Sequence, residues 1–426
     1  MKKITLTFLL TASLLFYLKT QAQNLPADKL YHKIDSLITH KQFFAARELL
    51  HTKKESLSPF HYLKLGAAID NVFNQLDASN AKIDALIQGY DELLDDSTNY
   101  HLLYIRQSNY GKLYEYQKAL ESIHEIIDKY KHLLSEKELA DFKNTRTIWQ
   151  NLAGQAKQEV ILKETVAIKM SRDRAGLANL PVSNGADSLG FIFDTGANIS
   201  TVTESVAARF GMTLMDSVID VTSITGNKIK SRIAVCKDLY LRSIHIKNAV
   251  FLVFPDAALY IPQISYQING ILGFPVIEAL GEVQISREDE FVVPLQHSAP
   301  TQLNLALDFL TPVIEIAGDS YTFDTGADET MLYKPYYQKY PKKFRGKRER
   351  KRLKFGGAGG SVTRKGYLID FEARLGDQNI RLRKIMAFSE PTRENIDGYF
   401  GNIGQDLIGK FDRMILNFKT MFIRFE

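Results

Sequence analysis

Cysteine occurs once in the 426 residues, at Cys236. No intrachain disulfide can form, which excludes the small stapled scaffolds of secreted eukaryotic proteins. No cysteine near residue 22 could carry a lipid. In IAVCKDLYL, Cys236 follows Val235 and reads as a strand residue rather than a reactive thiol. Long apolar runs are absent beyond the first twenty residues, so no later stretch reads as a membrane span. Charge of one sign is not in great excess either. A net charge of +5 gives no argument for nucleic-acid binding. Histidine is sparse in the second part of the chain: seven of nine precede residue 163, leaving His245 and His297. With no His-Glu-x-x-His, a zinc site is not expected. There is no Gly-x-Ser-x-Gly elbow, and GGAGG (356–360) lacks the Lys-Ser/Thr of a phosphate loop. Neither metal nor cofactor is expected.

What is present begins with Lys2 and Lys3, an apolar run from Ile4 to Leu18, and Ala22 at a plausible cut. Residues 1–22 read as a signal peptide, which places the mature protein in the periplasm or outside the cell. An uncleaved anchor is the alternative, for which the run is short. The remainder, 45% hydrophobic and 24% charged over the whole chain, suits two or three globular domains.

From residue 25 to 162 the apolar residues recur at three and four positions, as in QFFAARELL and AKIDALIQGYDELL. The spacing predicts an antiparallel helical array that forms its own unit. YGKLYEYQKALESI resembles part of a tetratricopeptide-type repeat (TPR), although no fixed period emerges. Such an array is either a docking surface for a protein partner or a prodomain-like cap.

After Leu162 the pattern changes to short alternating strands with glycine turns. Phe-Asp-Thr-Gly-Ala then occurs twice, in FIFDTGANIS (191–200) and YTFDTGADET (321–330). Gly226 lies 32 residues after Asp194, and Gly357 lies 33 after Asp324. A second glycine signature follows in each copy, NGILG (269–273) and DGYFG (397–401). The repeated order predicts two homologous lobes, 172–295 and 303–426, joined around Gln296–Gln302.

A buried carboxylate without a cation is costly. Two of them, placed by duplicated lobes across a pseudo-twofold axis, can instead share one proton. Such a pair activates a water with its ionised member and protonates a carbonyl oxygen with its neutral one. Gly196 and Gly326 would let backbone amides approach the carboxylates, and Thr195 and Thr325 would reach the opposite lobe. The turns at Gly226 and Gly357 suit mobile hairpin tips over a substrate.

At FDTGAN and FDTGAD, and at ILG (271–273) and YFG (399–401), the chain resembles the retropepsin-like aspartic proteases, from near Ala175 to its end. The resemblance implies an all-β bilobal double barrel of pepsin/retropepsin type; preceded by the N-terminal antiparallel, TPR-like helical array read from the periodicity, it makes the expected fold class α+β multidomain. The resemblance also implies Asp194 and Asp324 as the catalytic pair of an aspartic endopeptidase, with Gly226 and Gly357 as flap tips and Asp328 holding substrate backbone. Asn198 stands where the second lobe has Asp328, so the cleft should have unequal ends. The expected partner is a peptide or protein substrate, and the lobe pair is expected to work within one monomer. The alternative is a non-catalytic peptide-binding protein that uses the helical array and a pseudo-protease clamp. Ala197 and Ala327 replace the Ser or Thr common in pepsin-like lobes, so neither carboxylate is expected to gain a side-chain donor there. The basic run KKFRGKRERKRLK (342–354) is a solvated loop, or a cationic rim for acidic peptides or an anionic envelope surface.

Overall fold

The computed structural model describes residues 26–222, 228–300, 303–346, 350–357, 360–375, 378–392 and 398–426. The segment expected to be a signal peptide, Gly226 with its turn, Asp397 and part of the basic run lie outside the described residues.

Among the described residues seven α-helices come first: α1 (Ala27–Thr39), α2 (Phe43–Lys53), α3 (Pro59–Val72), α4 (Leu76–Gly89), α5 (Asp96–Lys112), α6 (Tyr116–Lys129) and α7 (Glu136–Leu152). Their starts have local causes. Ser58 accepts the His61 amide ahead of Pro59, whose missing N–H costs nothing at the first helical position. Asp95 caps α5 through the Thr98 amide. Ser135 and Glu138 form a reciprocal capping box on α7.

Three corners joining consecutive helices carry a non-glycine residue at positive φ: Lys41 (62°), Asn74 (57°) and Tyr114 (56°). That backbone disfavours any residue with a Cβ, and each corner is held by the β-rich region. The Lys41 carbonyl accepts from the Ser320 hydroxyl at 2.7 Å, and its ammonium pairs with Asp308 at 2.9 Å. Asn74 donates to Glu278 (3.0 Å) and to the Phe418 carbonyl (3.3 Å). The Tyr114 hydroxyl donates to the Pro275 carbonyl at 2.9 Å. Apolar packing follows the same route. Leu30, Ile34, Phe43 and Leu65 share a cluster with Val313, Tyr333 and Tyr399. Tyr116 and Leu152 share another with Ile192, Ile219 and Ile233.

The helical pattern was expected to reach residue 162, but α7 ends at Leu152. Glu159–Ile161 is a strand paired with His245–Lys247, and Val166–Lys169, ahead of residue 172, is another. Three or four residues are too few for either periodicity to register.

The first large sheet pairs Ala178–Ser183 with Ser188–Phe193, which runs parallel to Gly270–Leu272. Next in order come Ser200–Thr203, Ile244–Phe254, Lys228–Leu241 and Thr213–Thr222. The second sheet repeats this order and these directions: Thr311–Ile316, Asp319–Phe323, Gly401–Ile403, Met331–Leu332, Gln378–Phe388, Gly360–Leu375 and Lys351–Gly357. A third, five-stranded sheet joins the two halves. Glu282–Ser286 of the first pairs antiparallel with Arg413–Asn417 of the second, and Val166–Lys169 forms one edge.

One edge of the first sheet is gripped by α7. The Asn144 side chain donates to the Asp220 carbonyl and accepts the Asp220 amide, both at 2.9 Å, as a neighbouring strand would. Among the described residues, the corresponding edge strand of the second sheet, Lys351–Gly357, has a strand neighbour on one side.

Candidate active site

Asp194 and Asp324 each follow a strand whose last three residues are buried. Their amides extend the parallel ladders, Asp194 to the Leu272 carbonyl (3.1 Å) and Asp324 to the Ile403 carbonyl (2.9 Å). Both chains then turn, and the turns interlock. The Thr195 amide donates to Thr325 Oγ1 and the Thr325 amide to Thr195 Oγ1, both at 3.0 Å. Each hydroxyl in turn donates across, Thr195 to the Phe323 carbonyl (3.0 Å) and Thr325 to the Phe193 carbonyl (2.9 Å). All four bonds are buried, where a satisfied polar network is rigid and a broken one is costly.

This lock sets each glycine against the opposite carboxyl. A Cβ on Gly196 would lie 2.6 Å from the Asp324 carboxyl carbon, and one on Gly326 would overlap the Asp194 carboxyl. Only glycine allows that approach. The amides of Gly196 and Ala197 donate to Asp194 Oδ1 at 2.8 and 3.1 Å, and that of Gly326 to Asp324 Oδ1 at 2.9 Å. The Asp194 carboxyl is nevertheless held well above the ordinary carboxylate range. Burial is the largest cause, then the charge of Asp324 and a hydrogen bond with it, against the pull of the amides.

That shift has a stability consequence. The folded state binds the Asp194 proton more tightly than the unfolded chain, so this contribution is present below the ordinary aspartate range and is lost as pH rises through the raised value. Asp194→Asn should therefore melt a few degrees above wild type at pH 7 and little differently near pH 4. Melting below wild type at both pH values would show that no charge repulsion is stored at the pair.

The other expected site residues are placed less symmetrically. Asn198 is exposed and accepts from the Thr311 hydroxyl at 3.5 Å. Asp328, also exposed, lines a cavity of about 250 Å³ with Arg172, Thr325, Gln405 and Asp406. Gly357 ends the hairpin strand opposite Gly360, while the arms that lead to Gly226 are Thr213–Thr222 and Lys228–Leu241. Lys342, Lys343, Lys351, Arg352 and Lys354 are exposed, and Arg352 stands opposite Lys365 in the ladder. A larger concavity of about 930 Å³, lined by Lys169, Arg242, Glu290 and Arg413, contains neither aspartate. Among the described residues no group of three His, Cys, Asp or Glu side chains could hold a metal ion.

One expectation is corrected by register. YFG (399–401) was matched to ILG (271–273), but Leu272 pairs with Phe193 as Ile403 pairs with Phe323. The equivalents of Ile271-Leu272-Gly273 are therefore Asn402-Ile403-Gly404. Gly273 and Gly404 agree: a Cβ on either would meet the backbone just after its own Asp-Thr-Gly turn, at Ala197 or Ala327. The Gly273 amide donates to Ser200 Oγ (3.0 Å) and the Gly404 amide to Thr330 Oγ1 (3.1 Å). Asn402 breaks the pattern of two apolar residues before glycine. The shared Gly-x-x-Gly at 270–273 and 401–404 was the usable signal. Asn402, buried, donates from Nδ2 to Asp324 Oδ2 at 3.1 Å, so one carboxylate does gain a side-chain donor.

Residues 180–276 match the family model for aspartyl proteases, an interval that contains Asp194 and Gly270–Gly273. Among solved structures, the chain is similar to a retropepsin-like aspartic protease from Rickettsia conorii, with 18% identity and a TM-score of 0.24, over 31% of this chain and 99% of that one. It is also similar to Basic 7S globulin from soybean, with 11% identity and a TM-score of 0.38, over 62% of this chain and 94% of that one. No curated protein matches by sequence.

Proposed function

We propose that the chain is an exported aspartic endopeptidase whose two retropepsin-like lobes, each a small barrel, supply one carboxylate apiece to a single dyad. The observation that carries this reading is the reciprocal Thr195–Thr325 lock, which sets Gly196 against Asp324 and Gly326 against Asp194. In the reaction the ionised carboxylate takes a proton from a water molecule. The water oxygen bonds to the scissile carbonyl carbon, and the protonated carboxyl gives its proton to the carbonyl oxygen. The tetrahedral diol then collapses: a proton passes to the amide nitrogen, the C–N bond breaks, and a carboxylic acid and an amine leave. No covalent enzyme intermediate is needed.

Asp328 and Asn198 flank the pair as unlike ends of the cleft, and the hairpins ending near Gly226 and Gly357 cover the substrate. The TPR-like helices serve as a support that can also carry a protein partner. Lys2, Lys3 and the apolar run from Ile4 to Leu18 support export, to the periplasm or outside the cell. Because Asp194 keeps its proton beyond the ordinary range, the singly protonated pair should persist toward neutrality. The kcat/KM profile should be bell-shaped with an optimum at about pH 5–6.

The test is digestion of a mixed peptide library, read by mass spectrometry, with and without a statine-type inhibitor that places a hydroxyl between the carboxylates. Inhibitor-sensitive cleavage is expected. An intact library across pH 3–8 would overturn the reading and favour a peptide clamp without catalysis.

A further inference from the structure

The two halves of the site differ at one buried pair. In the second half Thr322 and Asn402 are register partners on parallel strands. In the first half the same places hold Ile192 and Ile271, both within an apolar cluster. The polar pair is fully engaged. Thr322 Oγ1 donates to Asn402 Oδ1 at 2.5 Å, which turns Nδ2 toward Asp324 Oδ2 at 3.1 Å. Neither isoleucine has a donor for Asp194.

We propose that the Thr322–Asn402 pair breaks the symmetry of the dyad, holding the negative charge on Asp324 so that Asp324 is the base and Asp194 the acid. The inference rests on the protease reading above and deepens it. An N–H aimed at a carboxylate favours the charged form, and in a low-dielectric place a charge-assisted bond is stronger than a neutral one. Asn402 neither takes nor gives the transferred proton; it acts only through the Asp324 carboxylate to which it donates, as a positioning residue. Thr322 acts one step further back: without its hydroxyl the amide of Asn402 has no fixed orientation.

Asp194 accepts the Ala197 amide at 3.1 Å where Asp324 accepts Asn402, so the side-chain donor works against that backbone one, and the surrounding charges are engaged elsewhere. Asp319, on the strand of Asp324, is engaged at its far end by Lys339 and Tyr340. Tyr321 on the same strand is buried in the core. Met331–Leu332, the other neighbour of Asn402, carries no titratable group. Asp406 is bound by the Thr330 amide and hydroxyl at 3.0 and 2.6 Å. Glu329 and Asp328 are on the exposed side of the turn, and Arg172 is engaged by Asp289 and Gln405. The Asp194 carboxyl is raised above the ordinary carboxylate range, first by burial and then by the charge of Asp324, which is the direction the pair requires.

The experiment is a kcat/KM–pH series on one peptide for wild type, Asn402→Ile, Asn402→Ala and Thr322→Val. The acidic limb reports loss of the first proton from the pair, which the Asn402 donor assists. Deleting the donor should raise that limb by about one pH unit, as expected for one hydrogen bond to a charge. The basic limb should stay, because both states on that side contain ionised Asp324. Thr322→Val should move the limb the same way by less. Adding Ile192→Thr and Ile271→Asn together to Asn402→Ile moves the donor with its anchor to Asp194 and should return the acidic limb toward its wild-type place. A structural role alone would lower activity at every pH and leave both limbs where they were. An unmoved acidic limb in a folded Asn402→Ile or Asn402→Ala enzyme that still cleaves overturns the inference and leaves the protease reading intact. Absence of cleavage by wild type would overturn both.

Discussion

Asp194→Asn and Asp324→Asn should each reduce kcat/KM by on the order of a thousandfold or more, and the double variant should be scarcely worse than either alone. Asparagine keeps the shape of the side chain but can neither take a proton from water nor pass one to a carbonyl. The dyad needs one carboxylate and one carboxylic acid, so losing either member removes the whole device. The four buried threonine bonds do not involve the carboxyl groups, so both variants should fold, and far-ultraviolet circular dichroism should match wild type. A single variant that keeps more than a few per cent of wild-type turnover would show that the pair does not act as one unit.

A chain that begins at Glu159, without the helices, should be recovered mostly as insoluble protein. Its removal of α1–α3 would uncover Val313, Tyr333 and Tyr399, and loss of α6 and α7 would uncover Ile192, Ile219 and Ile233. Contiguous apolar patches of that kind drive association. Ser320, Glu278 and the Phe418 carbonyl would lose helix-corner partners as well. The first hairpin arm would also lose its Asn144 brace. The measurement is the soluble yield of the 159–426 fragment and the kcat/KM of whatever is soluble. A soluble fragment with wild-type activity would show instead that the helices are an independent unit, as their own periodicity implies.

That contrast marks what was legible in the sequence and what was not. The helices were readable because each carries an apolar stripe, but the stripe does not say what it packs against, so docking on the β-rich region was invisible. Phe-Asp-Thr-Gly-Ala in duplicate made the two turns legible, since carboxylate, hydroxyl and glycine are each needed at fixed places. The strand Glu159–Ile161 was missed because pairing across the chain, not local pattern, makes it a strand, and Val166–Lys169 lies in the strand-patterned stretch but ahead of the expected lobe boundary at 172. Asn402 was missed for a related reason. Its importance comes from lying beside Thr322 in a parallel ladder, 80 residues away in sequence, and it breaks the apolar pattern by which its strand would be recognised.

The measurement that tests the central claim most directly is an active-site titration with a tight-binding statine-type inhibitor, residual cleavage being followed against inhibitor added per chain. One dyad built from both halves of one chain predicts that activity falls linearly to zero at one inhibitor per chain, and that Asp194→Asn binds the inhibitor far more weakly. An end point at one inhibitor per two chains, or cleavage that persists at saturation, would contradict it.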